Sequence, residues 1–246
     1  LALFTGSVDF SLSPVLSDRL SMGSQLLLLG ALLIGFGIKI PLVPFHSWLP
    51  DAHTQASTPV SVLLAGVLLK LGTYGLLRFC LGMFPEAWAL VAPWLAIWAA
   101  VSVLYGSLAA IAQRDMKRMV AFSSVGHMGY VLLAAAAATP VSLLGAVFQM
   151  VSHGLISALL FLLVGIVYRK TGTRDLEVLR GLLNPERGLP FTGTLMILGV
   201  MASAGLPGMA GFISEFLVFR GSLPSYPLAT LLCMVGSGLT AVYFLL

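Results

Sequence analysis

Seven windows of about twenty mostly apolar residues follow one another along this chain, near 24 to 47, 60 to 79, 93 to 112, 119 to 138, 142 to 167, 190 to 222 and 227 to 246. A helix needs about that length to cross the hydrocarbon core of a bilayer. The pattern therefore predicts an all-α, polytopic transmembrane helix bundle. Only 9% of the residues are charged and 59% are hydrophobic, where an ordinary soluble domain is about 25% charged. The small formal charge of +4 sits mainly in the connecting loops, where it orients a membrane protein rather than binding nucleic acid.

Two windows carry helix breakers. The first holds Pro41 and Pro44 just after Lys39, in "GFGIKIPLVPFHSWLPDAH", and the sixth holds Gly205, Pro207 and Gly208 in "SAGLPGMAGF". A break inside a bilayer frees backbone amides and carbonyls that only protein or water can satisfy, so broken helices belong beside a wet cavity. Paired broken helices are a transporter device, although a simple kink or helix end is the plainer reading of each proline.

The connectors alternate in charge. One side holds Arg114, Lys117, Arg118, Arg169, Lys170, Arg174, Arg180 and Arg187, and the other Arg19, Arg78 and Arg220. The positive-inside rule makes the richer side cytoplasmic or its organellar equivalent. Residues 1 to 7 read as the tail of an earlier helix and 8 to 23 as a loop. A first residue of Leu1, with no signal-like segment ahead of the first window, marks the chain as an internal piece of a longer one. Cys80 and Cys233 lie far apart with neither C-x-x-C spacing nor a His cluster, so neither an iron–sulfur nor a zinc site is expected.

Five titratable side chains fall near the middle of five different windows: Lys39, Lys70 in "GVLLKLGTYG", His127 in "SSVGHMGYV", His153 in "QMVSHGLIS" and Glu215 in "GFISEFLVF". A charged Lys or Asp at a helix centre costs about 2.5 to 3.5 kcal/mol on insertion, so all five are expected to face the protein interior. Two readings stand open for each. A lone histidine can be interhelical glue, a lysine can snorkel, and Glu215 can neutralise a lysine in a structural pair. Alternatively the five form one polar file that moves protons. Five such groups at similar depth favour the file.

Helix axes about 8 to 10 Å apart put neighbouring groups beyond one direct hydrogen bond. Water held by Ser123, Ser124, Gln149, Ser152 and Ser157 is the expected bridge. Removal from water makes an ammonium a readier proton donor. Two positive sites about 7 Å apart, at an effective dielectric of about 20, repel by roughly 2.4 kcal/mol, so loading one drives a proton off the next.

Other motifs point elsewhere. "HSWLPDAH" brings His46, Asp51 and His53 together without a zinc spacing, which suits a capping loop or an interface. "GLPGMAG" lacks the strand, lysine and hydroxyl of a phosphate loop. "AQRDMKRM" reads as a solvated basic loop at a helix boundary, and 168 to 189 as a partly amphipathic surface connector.

The blocks "KIPLVPFHSWLPDAHTQASTPVSVLLAGVLLKLGTYGLLRF", "RDMKRMVAFSSVGHMGY", "GAVFQMVSHGL" and "GLPGMAGFISEF" resemble the antiporter-like subunits of complex I, and most closely the M type, called D in cyanobacteria and chloroplasts. The resemblance covers nearly the whole chain. It implies an inverted-repeat fold of two five-helix units, each with a broken helix. Residues 1–246 would form a single transmembrane domain, with 1–79 ending the first unit and 93–246 making the second.

Residue by residue, Lys39 matches the family's lysine on the first broken helix and Lys70 the lysine leading to the central axis. His127 and His153 match central-axis groups, and Glu215 the acidic residue of the second broken helix, which marks the M type. The family's glutamate that pairs with the first lysine would lie before Leu1. The resemblance implies proton translocation coupled to quinone reduction, whether ubiquinone or plastoquinone. No cofactor is expected in this chain; the quinone, the iron–sulfur clusters and the electron donor belong to other subunits. The expected partners are the other membrane-arm subunits and the lipid bilayer, in a thylakoid or bacterial inner membrane. The wording of the connector and second break is similar to cyanobacterial D-type subunits of complexes associated with carbon dioxide uptake. A multisubunit cation/proton antiporter, a membrane-bound hydrogenase subunit and a structural scaffold are the rival readings.

Overall fold

The computed structural model describes residues 20–184 and 188–245. Arg19, Arg187 and the expected helix tail at 1 to 7 lie outside the described residues, as does most of the 8 to 23 loop. The chain is an integral, multi-pass helical membrane protein. Its elements are α1 (Met22–Lys39), α2 (Trp48–Gln55), α3 (Thr58–Leu81), α4 (Pro85–Ile111), α5 (Met116–Ala137), α6 (Pro140–Thr171), α7 (Pro190–Ser203), α8 (Ala210–Ser222) and α9 (Pro227–Leu245). Among the described residues, six of these are long and apolar enough to span a membrane by themselves: α1, α3, α4, α5, α6 and α9. The remaining window, the sixth, is the broken pair α7 and α8.

Local sequence sets most helix ends. Proline opens α4, α6, α7 and α9, where its missing N–H is no loss. The Asp115 carboxylate accepts from the amides of Lys117 and Arg118 and so caps α5. Thr139 and Ser142 cap α6 reciprocally, and Gly172, at φ 73°, closes its far end. The third window starts earlier than expected. Pro85 begins α4, and Pro93 is carried inside the helix, as neighbouring helices in a membrane permit.

The α5 helix is the axis of the bundle, buried along nearly its whole length. It packs chiefly on α4 and α6, with α2, α8 and α9 completing its surround. Small residues set the approach of α4: a Cβ on Gly106 would lie 2.6 Å from the Gly126 amide nitrogen, and one on Gly129 3.1 Å from the Ala99 carbonyl oxygen. Bilayer lipid supplies no hydrophobic push between helices, so such backbone approach is what makes dispersion contacts strong enough.

Both windows with breakers are interrupted. After Lys39 the chain leaves helical form until Trp48, and then α2 carries it onward through "WLPDAHTQ", so that motif is a half-helix rather than a capping loop. Helix α4 satisfies the freed backbone. The Val43 N–H donates to Ser102 Oγ (3.2 Å), and the Trp98 indole N–H donates to the Val43 carbonyl. At the second break Gly205 (φ 68°) and Gly208 (φ 97°) turn through a left-handed conformation that side chains resist. The Glu215 carboxylate lies against Gly205, where a Cβ would sit 3.0 Å from Glu215 Oε2.

The helices alternate in direction, so Arg114, Lys117, Arg118, Arg169, Lys170, Arg174 and Arg180 gather at one end of the bundle, the basic end, and Arg78 and Arg220 lie toward the other. The basic loop is not the solvated boundary that its composition suggests. Lys117 is only 5% exposed, because α2 and the connector after α6 close over the start of α5.

Candidate functional site

Lys70 sits where α3 departs from regular α geometry. The helix widens over Leu64–Leu68, and the Lys70 ammonium donates back to the Ala65 carbonyl five residues earlier (2.5 Å). Such widened turns recur at functional sites because they present a carbonyl that a regular helix would use itself. The same ammonium lies 2.7 Å from His153 Nδ1 on α6. Gly154 permits this approach, since a Cβ there would meet the Gly66 carbonyl at 3.0 Å. Lys70 and His153 therefore touch directly, without the bridging water that axis spacing alone suggests: a long side chain reaches across where glycines let two helices close.

The His153 ring lies 5.2 Å from the His127 ring on α5, centroid to centroid. Both rings line a small cavity of about 10 Å³ with Gln149, Ser152, Ser203, Ile156, Ala202 and Gly211. His127 Nδ1 faces the Ser123 carbonyl at 2.8 Å, and Nε2 faces the Ser203 carbonyl at 3.2 Å. Two acceptors at two ring nitrogens form an arrangement that only the doubly protonated ring satisfies by donating at both. Glu215 Oε1 stands 3.7 Å from His127 Nε2, buried and without a hydrogen bond of its own among the described residues. The other carboxylate oxygen, Oε2, accepts from Ser237 Oγ on α9 (2.5 Å). Lys70, His153, His127 and Glu215 thus form a continuous polar file from α3 to α8.

Lys39 is not part of this contact chain among the described residues. It ends α1 two residues past the buried Gly37 and is exposed among the described residues, although a Cβ on the buried Gly72 of α3 would lie 3.3 Å from Lys39 Cβ. The other four of the five groups meet one another among the described residues. Of the serines expected to hold water, Ser124 and Ser157 bond within their own helices, whereas Ser152 pairs with Ser214 at 3.0 Å. Ser214 also donates to Gln149 Oε1 (2.5 Å). Ser123 sits at the file and accepts from the Tyr243 hydroxyl of α9 at 2.8 Å.

The sequence reading missed Ser214, Ser237 and Tyr243. One signal was available for the first of these: Ser214 directly precedes Glu215, beside the second break. His53, which the sequence placed in a capping loop or an interface, is fully buried and stacked 4.3 Å from the Phe161 ring.

The fold and the file define a polytopic membrane protein in which titratable side chains of four helices meet between its spans. The chain belongs to the family described as NADH:quinone oxidoreductase/Mrp antiporter, TM, which matches residues 1–240. It is 46% identical over 254 residues to NAD(P)H-quinone oxidoreductase chain 4 1 of Synechococcus sp. (strain JA-3-3Ab), covering 100% of this chain and 48% of that one. With NAD(P)H-quinone oxidoreductase chain 4-2 of Synechocystis sp. (strain ATCC 27184 / PCC 6803 / Kazusa) it is 43% identical over 252 residues, covering 100% and 44%. Its fold is similar to a chain of respiratory complex I from Thermus thermophilus with bound NADH, with a TM-score of 0.89, 32% identity and coverage of 99% and 52%. It is also similar to a chain of the Mrp complex from Dietzia sp. DQ12-45-1b, at a TM-score of 0.81, 27% identity and coverage of 87% and 39%. The chain spans about half the length of the curated relatives it matches.

Proposed function

We propose that this chain belongs to a proton-translocating membrane-arm subunit of a complex I type quinone oxidoreductase. The observation that carries the reading is the direct contact of Lys70 with His153, continued through His127 to Glu215. The two cyanobacterial relatives and the Thermus complex support the redox assignment. In this reading residues 1–79 end one five-helix unit and 93–246 make the second, and Lys39, Lys70, His127, His153 and Glu215 are the proton-carrying groups.

The chemistry is a series of proton transfers with no bond to carbon made or broken. The Lys70 ammonium gives its proton to His153 Nδ1 across 2.7 Å and becomes a neutral amine. His153 passes a proton toward His127 across the small cavity that both rings line. The His127 imidazolium is held by two carbonyls and gives its Nε2 proton to Glu215 Oε1, which neutralises both charges. Positive charge on one station raises the energy of charge on the next, so an electrostatic push at one end releases a proton at the other. Quinone, clusters and electron donor reside in other subunits, and the neighbours are the other membrane-arm chains.

The Mrp likeness keeps a cation/proton antiporter as the second reading. Purifying the full-length subunit from its native membrane separates the two. Copurification of peripheral, cluster-bearing chains with quinone-reducing activity is expected; an assembly of membrane chains alone, without clusters, would contradict the redox assignment.

A further inference from the structure

The half-helix α2 has eight residues, too few to hold its place by its own hydrogen bonds. Its last carbonyls, exposed as at any helix end, are met by cations from the basic end. Arg174 Nη1 donates to the Thr54 carbonyl at 3.2 Å, and Lys117 Nζ donates to the Ala56 carbonyl at 2.7 Å. Arg118 reaches Asp51 at 3.5 Å.

These cations are themselves fixed. Asp115 caps α5 and pairs with Arg174 at 3.2 Å. The backbone ties the two strands of the clamp together through Met116 N–H to the Arg174 carbonyl (3.0 Å) and Leu176 N–H to the Arg114 carbonyl (2.9 Å). What the clamp holds packs on α3, the helix that carries Lys70: His53, near the end of α2, is fully buried against Phe161, and its carbonyl accepts from Ser61 Oγ of α3 at 3.3 Å.

We propose that Arg174 and Lys117 are positioning residues that pin the carbonyl end of α2 and thereby seal the approach from the basic end to Lys70. The proposal rests on the proton-translocation reading above. With the clamp closed, protons cross only through the file; with the end of α2 loosened, water reaches Lys70 from the basic end and the step is short-circuited. Neither cation touches a station of the file, so their effect is on access.

The test uses the assembled complex carrying the full-length subunit, with Arg174→Gln, Arg174→Lys and Lys117→Gln. Two quantities are read: amide hydrogen exchange over residues 48–57, and protons moved per electron in sealed vesicles. Arg174→Gln is expected to speed exchange over 48–57 about tenfold while leaving 119–137 unchanged. It is also expected to lower protons per electron at an undiminished rate of electron transfer. Arg174→Lys should recover part of both. Unchanged exchange overturns the clamp, and faster exchange with an unchanged proton ratio reduces it to packing. If Arg174→Gln does not assemble, Lys117→Gln, which leaves the Asp115 and Arg174 pair intact, carries the same two measurements. Lys70→Ala run in parallel separates the readings: an unaltered proton ratio there removes the translocation reading itself, whatever the clamp does.

Discussion

Glu215→Gln in the full-length subunit is expected to yield an assembled complex in which proton passage through this chain slows about 100-fold or more, the scale associated with loss of a positioned acid–base group. Assembly should survive because glutamine keeps the shape of glutamate, and its carbonyl can still accept from Ser237 Oγ. What disappears is the one group in the file able to become an anion. His127 then faces two carbonyls and no counter-charge, which disfavours the imidazolium that the file needs as an intermediate. The check is the initial rate of proton uptake on a substrate pulse, with electron transfer followed in the same vesicles. Uptake at the wild-type rate would remove Glu215 from the path.

Gly106→Val is expected to have the largest effect on the fold. Its Cβ would lie 2.6 Å from the Gly126 nitrogen and 3.1 Å from the Gly126 Cα, both backbone atoms of the central helix that cannot rotate away. Relief requires α4 and α5 to separate, and overpacking of this kind costs about 1 to 3 kcal/mol or more. Because α5 carries His127 and is enclosed by other helices, the displacement spreads into the file. The variant subunit should fall to a small fraction of wild-type abundance in the membrane and fail to copurify with its neighbours. Wild-type abundance and normal assembly would show that this glycine contact is not limiting.

Much of this was legible in the residues, for a physical reason. The bilayer forces a spanning helix to be long and apolar, so the spans and both breaks stand out: Pro41 and Pro44 follow the end of α1, and Gly205 and Gly208 turn between α7 and α8. Intramembrane Lys70, His127, His153 and Glu215 are conspicuous because a charge there is costly, and they do come together. Orientation of side chains around a helix is less legible. Lys39 is exposed among the described residues while Gly37, two residues before it, is buried, a difference that hydropathy averaged over a window erases. Reach was misjudged for Lys70, because axis spacing says nothing of glycines such as Gly66 and Gly154 that let helices close.

Tertiary cover explains the remaining misses. Lys117 reads as a solvated loop cation, yet it is buried because a half-helix distant in sequence ends over it. Ser237 and Tyr243 are ordinary residues on an apolar span, and only the packing of α9 brings them to Glu215 and Ser123.

The central claim is that protons pass through Lys70. The most direct measurement is the number of protons taken up per electron in sealed vesicles, wild-type complex against fully assembled Lys70→Ala, with electron transfer recorded in parallel. The account predicts a lower proton ratio at persisting electron transfer, since alanine leaves His153 Nδ1 with no donor on α3. An assembled Lys70→Ala complex that moves the wild-type number of protons per electron would contradict it.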